Sequence, residues 1–210
     1  MMKKKTTLNE IAYVKIKEKI MRGDFKEENY TSQNQLVEEL EMSRTPIVAA
    51  LQRLQHEGFV KVISNQGIVI QELSIKEIND FFDARIAIET FSIVNVMDML
   101  KEHDFSILYE MVNEQKKCCE NQDLFGFVKL DADFHHYLLE VEGNSLFLQT
   151  MSNIRERLFY NSTNFMQKQQ NMMRFIDEHI HILEALKLKN QYIAVNRLEE
   201  HIRGGKISLM

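Results

Sequence analysis

The sequence predicts a mainly α-helical protein of two domains: a small domain of three helices and a β-hairpin, then an all-α antiparallel bundle of about six helices. Three observations support this prediction. Only one Pro and seven Gly occur in 210 residues, which is typical of long helices. Apolar residues alternate only within 59–70, on both sides of Ser64-Asn65-Gln66. Capping boxes at Thr7-x-x-Glu10 and Ser74-x-x-Glu77 each begin a helical region.

The second capping box places the domain boundary between residues 1–73 and 74–210, with Glu72-Leu73 as a short linker. The first domain is predicted to begin with two short helices. The first helix spans about 8–22, is closed by Gly23, and has Ile11, Val14, Ile16 and Ile20 as its apolar residues. The second spans about 32–40, with Leu36 and Leu40 buried, and Glu41-Met42 forms the turn into a third helix.

The third helix has signals at both ends and two different faces. Ser43 is a suitable N-cap, Pro46 lies in the first turn, and Gly58 is a C-terminal stop. Ile47, Ala50, Leu51 and Leu54 fall on one stripe and are expected to be buried, which leaves Arg44, Thr45, Val48 and Gln52 exposed. An exposed polar face of this kind suits the major groove of DNA.

The run from Ser43 to Leu51, followed by Arg53-Leu54 and Glu57-Gly58, resembles the recognition-helix signature of GntR-type winged helix-turn-helix regulators. The plainer alternative is a capped amphipathic helix without a DNA role. The resemblance implies binding to double-stranded DNA through Arg44, Thr45, Pro46, Gln52, Arg53, Gln33, Asn34, Asn65 and Gly67. This sequence departs from the family at Val48 and Asn34, where arginine is usual, so it is expected to read a different operator or to read it less sharply.

Composition and charge are compatible with this function. The net charge is −5, of which residues 1–73 contribute +1 and the remainder −6, and Lys3 to Lys5, Arg44, Arg53 and Lys61 lie where they could meet phosphates. The alternative for Lys3 to Lys5 alone is a solvated terminus. No stretch approaches a membrane span, the N-terminus has no apolar signal region, and the adjacent Cys118 and Cys119 indicate no disulfide framework. A cytoplasmic protein is expected.

The second domain is predicted to be entirely helical, and it contains two pairs of residues with metal-ligand chemistry. Asp131 and His135 are four residues apart on one helical face. His179 lies 11 residues before Asn190 and His201 lies 11 after it, so a helical hairpin would bring the two imidazoles together. The predicted helices span about 75–100, 104–121, 123–142, 145–163, 170–188 and 191–208.

One carboxylate and three imidazoles suit a divalent ion such as Zn, Ni or Mn. Chance coincidence among seven histidines is the alternative. Asp131-x-x-Phe134-His135, Glu178-His179 and Ala194-x-x-x-Leu198-x-x-His201 resemble the metal-binding effector domain of the FadR subfamily, in its smaller VanR-like form. The resemblance implies that all four residues are ligands and that the protein is a homodimer joined through these domains. His136 and His181 are expected to be structural.

Arginine residues point to an acidic effector. Arg85 matches a recurrent arginine of the family that can face the cavity, although an ion pair with Glu89, four residues away, explains it equally well. Facing inward, its guanidinium would bind a small carboxylate. Arg155 and Asn161 are weaker candidates for the same role.

The sequence therefore predicts a transcription regulator, a repressor, whose helical domain binds a metal ion and a small organic acid and which reads a pseudo-palindromic operator as a dimer. One alternative is a sensor for which the ion itself is the signal. The other is a metal-dependent hydrolase, which is disfavoured because the sequence has no HExxH motif, Gly-rich phosphate loop or nucleophile setting.

Overall fold

The structure, a computed structural model, describes residues 6–25, 29–64, 66–165 and 169–208, without the side chains of 160–165, 169–171 and 208. The chain divides into two compact units, Met1–Glu72 and Leu73–Met210. It is mainly helical, as predicted, with a winged helix-turn-helix unit followed by an all-α unit. No helix in the described part of the chain is long and apolar enough to cross a membrane.

The first unit builds a three-helix core closed by a small sheet. Its sheet has the order β1-β3-β2, with both pairs antiparallel and Val62 opposite Ile68 in the hairpin. Ile16, Leu36, Ile47 and Leu54 are fully buried where the helices meet. The elements are α1 (Leu8–Arg22), β1 (Tyr30–Thr31), α2 (Gln33–Leu40), α3 (Arg44–His56), β2 (Val60–Ile63) and β3 (Gly67–Ile70).

Three details of this unit differ from the prediction. Val14 is 42% exposed, because Ala12, Tyr13, Ile16 and Ile20 form the buried stripe of α1 and residue 14 falls outside it. Leu40 is only half-buried, since α2 ends at that residue. Strand β1 was not predicted, because two residues carry no alternating pattern; it forms by pairing with β3.

The ends of α3 follow the sequence signals only in part. Ser43 is the N-cap residue, but its side chain makes no capping hydrogen bond. By contrast, Ser32 accepts a hydrogen bond from the Gln35 N–H at the start of α2, 3.2 Å away. At the other end, Gly58 has φ +79°, the left-handed conformation that glycine adopts without strain, and it redirects the chain into β2.

The second unit contains six helices in its described part: α4 (Ile75–Val96), α5 (Glu102–Glu120), α6 (Leu124–Glu142), α7 (Ser145–Phe165), α8 (Gln169–Lys187) and α9 (Gln191–Ser208). Helix α4 packs against α6, α7 and α9, and α8 packs against α5 and α9. Helix α4 is shorter than predicted: it ends at Val96, and the chain turns so that Met97 becomes buried. The other five helices begin and end within two residues of the predicted bounds.

Replacing Ser32 by alanine should lower the free energy of unfolding by about 1 kcal/mol, because the Gln35 N–H loses its acceptor. Ser43→Ala is the matched control, since it removes the same hydroxyl from the next N-cap, where no capping bond exists. Urea unfolding followed by circular dichroism measures both variants. An equal loss in the two variants would contradict the capping assignment.

Candidate functional sites

The first unit has a surface groove between its second and third helices and the hairpin. The groove encloses about 730 Å³. Gln33 and Asn34 of α2 line one side, and Val62, Ile63 and Gly67 of the β2–β3 hairpin, the wing, line another. Helix α3 supplies Arg44, Val48, Gln52 and Gln55. These α3 residues share one face because they are separated by three or four positions.

Five of the nine predicted DNA-contacting residues line this groove: Gln33, Asn34, Arg44, Gln52 and Gly67. Thr45 is exposed on the flank of α3. Asn65 lies outside the described residues. Pro46 is buried, so its side chain starts the helix and is not available to DNA.

Arg53, which was also predicted to contact DNA, is not among the residues that line the groove. It lies nine positions after Arg44, which places it on the opposite side of α3. Its guanidinium is 3.5 Å from the centre of the Tyr13 ring, and it forms ion pairs of 3.0 Å with Glu10 and with Glu57. Arg53 therefore ties α3 to α1 instead of facing the groove.

In the second unit, the four predicted metal-ligating residues come together. Asp131 and His135 lie on α6, His179 on α8 and His201 on α9, and one ligand atom from each lies within 4.8 Å of all the others. The Asp131 Oδ1 atom is 3.4 Å from Nε2 of His179 and 3.8 Å from Nε2 of His201. Ligands about 2.1 Å from one ion would be separated by about 3 to 4 Å, so these distances fit a single ion.

The three imidazoles present the same nitrogen to this centre. The Nδ1 atom of His135 lies 2.6 Å from Glu89 Oε2, that of His201 lies 2.9 Å from Glu178 Oε2, and that of His179 lies 3.0 Å from Gln115 Oε1. An acceptor at Nδ1 keeps the proton there and leaves the Nε2 lone pair directed into the cluster. Ligating histidines commonly have such partners.

Two features of the imidazole nitrogens are compatible with a cation in the cluster. Nε2 of His135 and Nε2 of His201 are 3.0 Å apart. In the tautomers that carry the proton on Nδ1, beside Glu89 and Glu178, these two Nε2 lone pairs face each other. The buried Nε2 of His179 has no hydrogen-bond partner among the described residues. A cation between these atoms would satisfy all three nitrogens, so the residues fit a metal ion.

Burial favours the neutral, ligating form of two of the imidazoles. Burial, followed by the nearby His201, His135 and Arg85, holds the pKa of His179 well below its ordinary value. Burial and the neighbouring His135 lower the pKa of His201 to about 3. Protonation of these two rings is therefore disfavoured near neutral pH.

A small cavity of about 30 Å³ adjoins the cluster and is lined by two arginines. Arg85, Asp131 and Arg155 line it together with apolar side chains. Arg85 is buried, and its Nε lies 2.8 Å from Glu89 Oε1, so both readings of this residue apply: it faces inward and forms the ion pair. The side chain of Asn161 lies outside the described part of the chain.

Arg155 is half-buried, and it has no carboxylate partner in the described part of the chain. Its Nη1 donates to the Ala132 carbonyl, its Nη2 contacts His136, and its Nε has no acceptor among the described residues. Burial lowers its pKa to about 10. A half-buried guanidinium whose buried Nε has no acceptor among the described residues would be stabilised by an anion in the cavity.

Three residues that hold the imidazoles were missed at the sequence level. Glu89 was considered only as the partner of Arg85, although its second oxygen reaches His135. Glu178 precedes a predicted ligand, and its contact with His201 depends on how α8 and α9 pack. Gln115 gave no signal, because a single glutamine in a polar helix is ordinary.

Two family models cover most of the chain. Residues 8–70 match the model for bacterial regulatory proteins of the gntR family, and residues 80–204 match the FCD domain. The chain belongs to the GntR family. It is a DNA-binding transcriptional regulator with an FCD domain, and it is not an enzyme.

Individual relatives agree with the family models. The chain is 24% identical over 190 residues to the HTH-type transcriptional regulator YdhC of Bacillus subtilis, a match that covers 90% of this chain and 85% of YdhC. It is 26% identical over 193 residues to the gluconate operon transcriptional repressor of Bacillus licheniformis, covering 87% and 77%. The fold is similar to that of E. coli McbR/YncC, with a TM-score of 0.82, 17% identity and 97% of each chain covered.

The opposite positions of Arg44 and Arg53 on α3 give a testable difference. Arg44→Ala should weaken binding to a duplex that the protein selects by more than about 1 kcal/mol relative to random DNA, because a base contact is lost. Arg53→Ala should lower the free energy of unfolding and leave that selectivity unchanged. Fluorescence anisotropy on both duplexes measures the effect. Equal losses of selectivity in the two variants would contradict the placement of the groove.

Proposed function

We propose that this regulator is a homodimeric repressor whose helical unit binds one divalent metal ion and a small carboxylate. The observation that carries the proposal is the convergence of three Nε2 lone pairs and one carboxylate on a single point in a buried core. Binding of the carboxylate would change the affinity for a pseudo-palindromic operator. Because it acts on bacterial DNA, we also place the protein in the cytoplasm.

Asp131, His135, His179 and His201 would hold the ion. Four protein ligands of nitrogen and oxygen type suit Zn, Ni or Mn, and Ni and Mn would leave further coordination positions open. A bound ion would supply a positive charge that attracts an acid to the adjoining cavity. Glu89, Gln115 and Glu178 would keep each imidazole in the tautomer that ligation requires.

The carboxylate proposal is supported by the two arginines beside the cluster. Arg155 offers a half-buried guanidinium without a carboxylate partner in the described chain, and Arg85 lines the same cavity. Guanidinium groups bind carboxylates through two parallel N–H bonds. The small cavity suits a carboxylate group, and a larger acid would have to extend towards the surface.

Repression is supported by relatives that are named as repressors, among them the gluconate operon repressors of Bacillus licheniformis and Bacillus subtilis. In such a mechanism, the effector shifts the equilibrium between two states only by its differential affinity for them. A second candidate, in which the ion alone is the signal, is supported by the same cluster. Operator binding with and without chelator, and then with added acids, separates the two.

The dimer is proposed to form through α4 and α7. Phe91 of α4 is 57% exposed and Leu146 of α7 is 65% exposed, and the Phe91 and Phe147 rings contact each other edge to face at 5.8 Å. An exposed aromatic and aliphatic patch of this kind is typical of a protein interface. A two-fold dimer would match a pseudo-palindromic operator.

Phe91→Asp should convert the dimer into a monomer, because the interface would bury an unpaired charge. Leu188→Asp is the matched control: Leu188 is equally apolar and 79% exposed, but it lies in the turn between α8 and α9. Sedimentation velocity at micromolar concentration measures both variants. A monomeric wild type, or a Phe91→Asp variant that stays dimeric, would contradict this interface.

The purified protein should contain one divalent ion per chain, and His179→Ala and His201→Ala should each lose most of it. His181→Ala is the control, since His181 is exposed on the same helix as His179. Chelation should also lower the melting temperature, because an ion bound only by the folded state stabilises it by mass action.

Elemental analysis beside thermal unfolding of the four proteins provides the measurement. Equal metal content in all four, or a melting temperature that does not respond to chelator, would mean that these histidines do not hold an ion. In that case, a direct hydrogen bond between the Nε2 atoms of His135 and His201 would account for their 3.0 Å separation.

A further inference from the structure

The groove on the first unit has an unusual distribution of charge for a DNA-binding surface. Among the described residues that line it, Arg44 is the only one with a positive charge, and none has a negative charge. The other polar side chains are mostly amides, from Gln33, Asn34, Gln52 and Gln55. Discrimination in such a groove depends on base edges more than on phosphates.

Asn34, which lies across the turn between α2 and α3, holds the Arg44 side chain in place. Nη2 of Arg44, the first residue of α3, donates a 2.7 Å hydrogen bond to Oδ1 of Asn34 in the first turn of α2. Four of the five guanidinium N–H bonds remain available, which is sufficient for a bidentate contact to guanine O6 and N7. An arginine that is already ordered loses less side-chain entropy on binding.

The residues that follow Arg44 on the groove face have different base preferences. Val48 is one turn further along, half-buried and apolar, and an apolar side chain contacts the methyl group of thymine. Gln52 is exposed one turn beyond Val48, and a glutamine amide pairs with N6 and N7 of adenine. Gln55 is engaged within the unit, since its Oε1 accepts from the Val62 N–H at 2.8 Å.

The spacing allows these three residues to read neighbouring base pairs. Residues four apart on a helix are separated by about 6 Å along its axis, so Arg44 and Gln52 are about 12 Å apart. Base pairs rise by about 3.4 Å, which makes this span roughly three to four base pairs. One guanine and adjacent A·T pairs would satisfy all three side chains.

We propose that each half-site of the operator contains a single guanine read by Arg44, that Asn34 positions Arg44 for this contact, and that the neighbouring pairs read by Val48 and Gln52 are A·T. Asn34 acts through Arg44 and is a positioning residue. The inference rests on the operator-binding function proposed above and names the class of sequence that this function recognises.

Selection of duplexes from a randomised library by the full-length protein tests the proposal. The wild type should enrich half-sites with one G·C pair next to A·T pairs. Asn34→Ala should reduce the preference for guanine at that pair by about tenfold, because a good bidentate contact contributes roughly this much or more. Gln35→Ala is the matched control: Gln35 is an exposed amide on the same helix but is not among the residues that line the groove, so the guanine preference should be unchanged.

Asn34→Asp separates positioning from general loss of binding. Its carboxylate still accepts from Arg44, so the guanine preference should persist. Its negative charge opposes the phosphates, so affinity for all duplexes should fall and the salt dependence should become weaker by about one phosphate contact.

The outcomes distinguish this inference from the proposed function. A wild type that enriches no sequence over random DNA would contradict sequence-specific operator binding itself. A wild type that enriches G·C-rich half-sites would contradict the readout proposed for Val48 and Gln52. Enrichment by Asn34→Ala with an unchanged guanine preference would show that Arg44 needs no positioning by Asn34 and would overturn that part of the inference.

Discussion

The helical unit depends on an electrostatic constraint at its centre. His135 and His201 bring their Nε2 atoms to 3.0 Å of each other while carboxylates face their Nδ1 atoms. A cation between the two Nε2 atoms would stabilise this arrangement when both rings carry their proton on Nδ1. Apolar packing holds the rings in this position: Phe134 stacks on the His179 ring at 4.2 Å, and the Phe175 ring meets the edge of His201 at 5.4 Å. The surrounding core therefore fixes the rings and does not allow them to turn away.

Helix α4 connects this centre to the rest of the chain. Glu89 uses one oxygen for His135 and the other for Arg85, so a single carboxylate links the cluster to the cavity that contains Arg155. Arg85 and the neighbouring His135 outweigh burial and hold the pKa of the Glu89 carboxyl well below its usual range, which keeps it ionised. Helix α4 is also the first helix after the boundary between the two units, which follows Glu72.

Much of the fold could be predicted from the sequence, because caps and apolar periodicity are local signals. The capping box at Ser74 and the stop at Gly58 fall where the structure places them. Contacts between distant segments were harder to predict from the sequence. The convergence of Asp131, His135, His179 and His201 could be predicted from two spacings in the sequence. Asp131 and His135 are four residues apart, and His179 and His201 are equally far from the turn between their helices. The partners Glu89, Gln115 and Glu178 could not, because their roles depend on which faces of α4, α5 and α8 meet the cluster.

The groove shows the same difference between local signals, which could be predicted, and contacts between helices, which could not. Arg44 and Gln52 could be assigned to the exposed face of α3 from periodicity alone. Arg53, which the family resemblance implied as a DNA-contacting residue, lies on the opposite side of α3 from Arg44. The contact between Asn34 and Arg44 joins two helices across a turn, and it is visible only once α2 and α3 are packed.

Anomalous diffraction from crystals of the full-length protein, recorded above and below the absorption edge of the metal found by elemental analysis, tests the central claim most directly. The account predicts one anomalous peak within about 2.0 to 2.2 Å of the three Nε2 atoms and an oxygen of Asp131. A map without an anomalous peak at this position in protein that was never exposed to chelator, with the imidazoles in hydrogen-bond contact with one another, would contradict it.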